Sequence, residues 1–306
     1  MKVVVGVRAD DPGDDALACA EALSRRMRAV LVLVHVRPAP WRSGGDDAVD
    51  AEWRAYLVEQ SRTTLERARR RLEPTTEHEL HDHTGASPGR ALAEVADAVG
   101  ASLVVVGSGS QRRDGVGLDG RVLVGPTADQ LLHSAALPVL VVPHGYRRST
   151  PAEVPARVTV AYTRSLDSDE ALRAAVQLGR RTGAPLRLVT LVVRPPRLLP
   201  SYSRALDELR AQARAWLDEA AAEAPLTTHL TAEVSEGEDV DEAMGLVELD
   251  PAELLVCGSG AAGPLRRVFL GDTAQRIMRL ATAPVVVVPR HAEPGLERTG
   301  AIPRVV

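Results

Sequence analysis

The chain is short of cysteine, lysine and aromatic residues, and each shortage excludes something. Two cysteines occur in 306 residues. Cys19 falls in a helical pattern and Cys257 in a strand pattern in the other half, so a disulfide framework is not expected, and a reducing cytoplasm suits the chain. Aromatics make up only 3% of the residues. That argues against binding of single-stranded nucleic acid, which uses aromatic stacking platforms. The net charge is -4, so the chain carries no global electrostatic footprint for nucleic acid. No apolar run approaches the ~20 residues of a membrane span, and the N-terminus enters a strand pattern at Lys2 without a leader-like segment. Lys2 is the only lysine, the other long basic side chains being arginine. No Gly-x4-Gly-Lys-Ser/Thr phosphate loop occurs. Gly115 to Gly120 fits Gly-x-Gly-x-x-Gly but lacks the direct strand-to-helix setting of a dinucleotide site, and reads as coincidence in a Gly-rich loop.

What the chain does have is one stretch that occurs twice. The first copy runs Leu103 to Gly109, continues from Arg121 to Thr127 and closes at Pro138 to Pro143; the second runs Leu254 to Gly260, then Arg267 to Thr273, and closes at Pro284 to Pro289. Gly125, Thr127, Pro138 and Pro143 each precede Gly271, Thr273, Pro284 and Pro289 by 146 positions, whereas Gly107 precedes Gly258 by 151. The difference lies inside the first Gly-rich loop, where an insertion is easiest to tolerate.

Upstream of each copy the pattern alternates between short β-branched runs and amphipathic helical stretches. Val3 to Val7, Val30 to Val36 and the weakly alternating Thr76 to His81 read as strands, the last as an edge strand. Helices are expected from Asp14 or Asp15, over about Ala51 to Leu72 with Trp53, Leu57, Thr64 and Ala68 on one stripe, and from Ser87-Pro88 to Val99. The order restarts with Val158 to Tyr162, Leu186 to Val193 and Thr227 to Val234 as strands. Asp169 to Arg181, Ser203 to Glu223 and Asp239 to Leu249 are the matching helices. The expected fold class is α/β: two tandem doubly wound domains, each a five-stranded parallel sheet with helices on both faces. The expected boundaries are 1–145 for the first domain, 146–156 for a Pro- and Gly-containing linker, 157–291 for the second domain and 292–306 for a tail.

These motifs resemble the universal stress protein family over the whole chain. Members with a nucleotide site read strand-Gly-x2-Gly-x9-Gly-Ser/Thr-helix, followed by a last strand of the type Pro-Val-x-Val-Val, here Pro138 to Val142 and Pro284 to Val288. The resemblance implies an adenine nucleotide, ATP with Mg²⁺, held at Val36, Gly107, Ser108, Gly109, Gly125 and Thr127 in the first half. In the second half it implies Val193, Gly258, Ser259, Gly260, Gly271 and Thr273. It also implies pairing of last strands, either between the two domains of one chain or across a homodimer.

The match is degenerate where a phosphate would be touched. Ser110 and Ala261 replace the middle glycine, and Pro126 and Asp272 occupy the Ser/Thr position. Arg8 and Thr163 replace an aspartate that the family carries after its first strand. Pro126 has no N–H to donate, and Asp272 puts a carboxylate at a helix start. Arg112, Arg113, Arg266 and Arg267 lie nearby in sequence. The leading expectation is therefore a non-enzymatic cytoplasmic stress-response protein with degenerate nucleotide loops and a ligand-sensing role. An ATP-binding protein with slow hydrolysis, and a scaffold that has lost nucleotide binding, stand beside it. His78, His81 and His83 cluster with Glu77, Glu79 and Asp82; a solvated edge strand accounts for them better than a metal site.

Overall fold

Three buried valines set the centre of the first half. Strand β1 (Lys2–Gly6) is fully apolar between Val3 and Val5, as a strand covered on both faces must be. In the computed structural model the described residues are 1–39, 48–109, 121–149, 154–193, 203–223, 229–259 and 272–289. The chain continues through α1 (Asp11–Met27), β2 (Val30–Pro38), α2 (Ala48–Arg69), β3 (His78–Gly85), α3 (Pro88–Ala98), β4 (Leu103–Gly107), α4 (Pro126–Ser134) and β5 (Val139–Val142). A 3-10 turn at Tyr146–Ser149 follows. The second half repeats the series as β6 (Val158–Ala161), α5 (Leu166–Thr182), β7 (Leu186–Val193), α6 (Ser203–Glu223), β8 (Leu230–Gly237), α7 (Val240–Gly245), β9 (Leu254–Gly258), α8 (Asp272–Leu280) and β10 (Val285–Val288).

The two five-stranded sheets fuse into one. The order is β3-β2-β1-β4-β5-β10-β9-β6-β7-β8. Neighbours are parallel throughout except at the join, where β5 and β10 run antiparallel with Val141 opposite Val285 and Val139 opposite Val287. The intramolecular pairing implied by the resemblance is therefore realised within one chain. The alternative, a homodimer through the last strands, has no edge to use: β5 is held by β4 and β10, and β10 by β5 and β9. α1 and α5 also meet across the join, where the Arg26 guanidinium donates to the Thr182 carbonyl at 3.2 Å.

Alternation along the strands divides the core between the two faces. Val3, Val5, Leu103, Val105, Val158, Val160, Leu254 and Val256 face one layer, with α1 and α5 packed over it. Val4, Val104, Val106, Leu255 and Cys257 face the other, under α3, α4, α7 and α8. Helix starts follow the capping rules: Asp10 accepts from Gly13 N–H at 3.1 Å, and Ser165 with Ser168 forms a reciprocal capping box.

Several elements depart from the sequence expectation. The third strands run to Gly85 and Gly237, beyond His81 and Val234. Both lie at sheet edges, where polar residues such as Asp82 and Glu236 face water without penalty. α2 buries Thr64 and Ala68, but Trp53 is 55% exposed and stacks on Tyr56 instead, ring centroids 5.4 Å apart. A helix of 22 residues is longer than the strands beneath it are tall. α7 ends at Gly245, short of Leu249. The linker segment is packed at its start: Tyr146 is buried, and Gly145 and Arg147 donate backbone N–H bonds of 2.7 and 2.8 Å to the buried Asp15 carboxylate on α1.

Candidate functional site

Strand order reverses between β1 and β4, so the chain leaves their C-terminal ends toward opposite faces. α1 packs with one core layer and α4 with the other. Such a switch point opens a crevice beyond the carboxyl ends of the strands. A cavity of about 280 Å³ lies there in the first half. This is close to the lower end of the roughly 300–1,000 Å³ of ligand pockets, enough for a nucleoside-sized body.

Its walls come from six elements. Gly6, Val7 and Arg8 line it from the end of β1; Val34, His35 and Val36 from β2; Val106 and Gly107 from β4. Pro12 and Gly13 come from the start of α1, Pro88 and Leu92 from α3, and Thr127 from the first turn of α4. Gly6 leaves room: a Cβ there would stand 3.0 Å from Leu92 Cδ1 and 3.2 Å from Val106 Cγ1. The interior is thus largely apolar, with Arg8, His35 and Thr127 as the side chains bearing polar groups. Arg8 is paired with Asp10 at 2.6 Å, and its side chain is more than half exposed. An exposed pair of this kind is worth little, so Arg8 can turn toward an anion at low cost. α4 opens at Gly125 without a side-chain cap.

Val36, Gly107 and Thr127 are thus gathered on one cavity. Ser108, Gly109 and Gly125 are not among its lining residues. The Ser108 amide donates to Val142 O at 2.8 Å and the Gly109 amide to Leu123 O at 2.7 Å. The Ser108 hydroxyl donates to Leu123 O at 2.9 Å and also accepts from the Leu123 amide. Gly109 and Gly125 touch: a Cβ on either would lie 2.8 Å from the other's Cα. These residues pack the two ends of the loop together, and the amides of Ser108 and Gly109 are used in that contact.

In the second half, Gly258 abuts the start of α5, and the Ser259 amide donates to Val288 O at 3.0 Å, as Ser108 does to Val142. Thr273 is exposed on α8. Val193 is exposed at the end of β7. Strand register makes Leu191, not Val193, the counterpart of Val36, because Leu31 pairs with Val3 as Leu186 pairs with Val158. Gly260, Gly271, Ser110, Ala261, Arg112, Arg113, Arg266, Arg267 and the Gly115 to Gly120 stretch lie outside the described residues.

Sequence reading missed a cluster beside the cavity. The His35 ring Nδ1 lies 2.9 Å from Ser61 Oγ on α2, Ser61 Oγ donates to Asp82 at 2.7 Å, and Arg37 Nε donates to the same carboxylate oxygen at 2.6 Å. Three separated elements supply these groups, so no spacing announces them. The order of donors is wrong for nucleophile activation: the Ser61 proton is committed to Asp82, and Ser61 is fully buried. Burial lowers the His35 pKa against the opposing pull of Asp82. Burial pushes the Asp82 carboxyl up, but the hydrogen bonds from Arg37 and Ser61 outweigh it and hold the pKa below its ordinary value.

The histidines of β3 are dispersed among other partners. Glu79 pairs with Lys2 at 2.8 Å and with His81 at 3.4 Å, His83 lies 3.9 Å from Glu94, and His78 Nδ1 is 2.9 Å from Thr76 O. Among the described residues no three His, Cys, Asp or Glu side chains come together as a metal cradle. Burial pushes both cysteine thiols up to about 12, far from a reactive thiolate. Among the described residues no helix is long and apolar enough to cross a membrane.

A twice-repeated doubly wound unit, with a crevice at the switch point of its first copy, defines a tandem α/β protein. Residues 1–143 and 156–289 both match the universal stress protein family, and the chain belongs to that family. Universal stress proteins of Mycobacterium tuberculosis and Mycobacterium bovis are each 30% identical to it over 298 residues, covering 94% of this chain and all of theirs. Among solved structures, a universal stress protein from Archaeoglobus fulgidus is similar with a TM-score of 0.64 at 18% identity, covering 94% of this chain and 96% of that one. A putative universal stress protein from Pseudomonas aeruginosa is similar with a TM-score of 0.56 at 15% identity, covering 94% and 93%.

Proposed function

We propose that this universal stress protein is a non-enzymatic, cytoplasmic stress-response protein that senses an adenine nucleotide in the cavity of its first half. The observation that carries this reading is the cavity itself. Its wall of Val34, Val36, Leu92 and Val106 suits a flat apolar base, while Arg8 and Thr127 suit the phosphate end. The nucleoside would occupy the cavity, and Mg²⁺ would arrive on the phosphates of ATP.

Sensing is favoured over hydrolysis by the chemistry of the lining. The residues facing the cavity include no carboxylate, and the His35 Nδ1 is engaged with Ser61. The reading of sensing over hydrolysis thus rests on the lack of a carboxylate among the described lining residues. The test is a thermal unfolding scan of the full chain with ATP and Mg²⁺. A ligand at 100 times its Kd stabilises by about 2.7 kcal/mol, so the melting temperature should rise with ATP concentration while ADP release stays at the blank rate. An unchanged melting temperature at millimolar ATP would falsify the reading.

A further inference from the structure

Because the two halves are copies in register, each lining position has a counterpart. Val3 aligns with Val158 and Leu31 with Leu186 by strand pairing, and the Gly107 contact with Pro12 aligns with the Gly258 contact with Asp167. Gly6 thus corresponds to Ala161, Arg8 to Thr163, Pro12 to Asp167 and Val36 to Leu191. We infer that the chain binds one anionic ligand per molecule, in the first half, and that Ala161 and Leu191 close the equivalent place in the second half. The inference rests on the nucleotide reading above and adds to it which half binds and which residues decide.

Room is the first argument. At Gly6 a methyl would stand between Leu92 and Val106, in the space the cavity uses. Ala161 carries that methyl and packs against the same core layer, as does Leu191, which is one carbon larger than Val36. Two side chains thus extend into the region where the first half has a glycine and a valine.

Charge is the second argument. Thr163 is neutral where the first half has Arg8. The nearby Arg164 is turned to Glu219 on α6, with bonds of 2.7 and 3.2 Å. The first turns of α1 and α5 both carry carboxylates, Asp11 and Asp14 in one and Asp167 and Asp169 in the other, so the charge difference between the halves rests on Arg8 against Thr163.

The test is calorimetric titration of the full chain with ATP in Mg²⁺ buffer. One site per chain is expected. Gly6→Ala, which imports the residue of the second half, should weaken ATP by about tenfold or more, the range for one methyl-sized misfit in a pocket. Ala161→Gly should leave affinity and stoichiometry unchanged. Arg8→Thr, a half-exposed position that leaves packing intact, should weaken ATP about fivefold and leave adenosine unchanged. Two sites per chain, or full ATP affinity in Gly6→Ala together with loss on altering the second half, overturns the inference and leaves the nucleotide reading standing. Titration without binding overturns that reading, and the inference with it.

Discussion

Gly107 lies against the carbonyl of Pro12: a Cβ on Gly107 would stand 1.9 Å from that oxygen. The neighbour is backbone at the first turn of α1, so it cannot rotate away. Gly107→Ala should therefore push α1 off the end of β4, at a cost of about 3 kcal/mol or more. Urea denaturation measures this, and a loss under about 1 kcal/mol would show that the helix start can yield. Gly258→Ala should behave similarly, since its Cβ would meet Asp167 O at 2.5 Å.

This glycine also shows how a motif can be read correctly as pattern and incompletely as function. The repeat was legible because buried strands, prolines and glycines recur at fixed spacing, and those features record the packing of a doubly wound sheet. The same features do not reveal which amides remain free. Ser108 and Gly109 look like phosphate donors in sequence, yet their N–H groups are bound to Val142 and Leu123. The difference between Gly6 and Ala161 falls outside any motif and becomes visible only when Leu92 and Val106 are placed beside it. The His35, Ser61 and Asp82 cluster was hidden because its members come from β2, α2 and β3. The antiparallel join of β5 to β10 was implied by family resemblance, since two equally apolar valine strands do not specify which edge each will take.

Arg28 ends α1 in the left-handed region, at φ 49 and ψ 51, where the second half ends α5 on Gly183 at φ 73. A side chain in that conformation costs about 1–2 kcal/mol relative to glycine. Part of that gain is returned through the greater freedom of glycine in the unfolded chain. Arg28→Gly should therefore stabilise by about 0.5–1 kcal/mol, read as a rise in the urea midpoint at constant slope. A fall in the midpoint would mean that the exposed Arg28 side chain contributes more than its backbone costs.

Arg187 supports a buried ionic cluster that the first half does without. Its guanidinium donates to Thr159 at 3.1 Å, Glu253 at 3.1 Å, Glu233 at 3.3 Å and Glu248 O at 3.0 Å, while Arg157 also pairs with Glu253. Glu253 is only 2% exposed. Arg187→Val should cost about 3–5 kcal/mol, because a buried carboxylate loses a partner. The equivalent positions in the first half are Val4 for Thr159, Val32 for Arg187 and Ser102 for Glu253. Importing all three residues together should cost much less than the single change, since a buried ionic cluster replaced by apolar packing is often neutral. Equal losses in the single and triple variants would show that the cluster is worth more than the packing that replaces it.

His35 should make the fold sensitive to mild acid. Burial lowers its pKa from an ordinary 6.5, so between the folded and unfolded values the unfolded chain binds more protons. Stability from this group is complete above 6.5 and is lost as pH falls through that value toward the lower, folded one. Asp82 acts in the same direction further down: its pKa is held below 3.8, so its contribution is complete above 3.8 and declines as pH falls beneath it. The wild-type chain should thus lose stability in two steps on acidification. His35→Asn should be less stable at neutral pH but flatter between about pH 7 and pH 5, because the titrating group has been removed. Chemical denaturation across that range reads both slopes. A wild-type curve as flat as that of the variant would show that the Ser61 and Asp82 contacts hold the protonated ring as well as the neutral one.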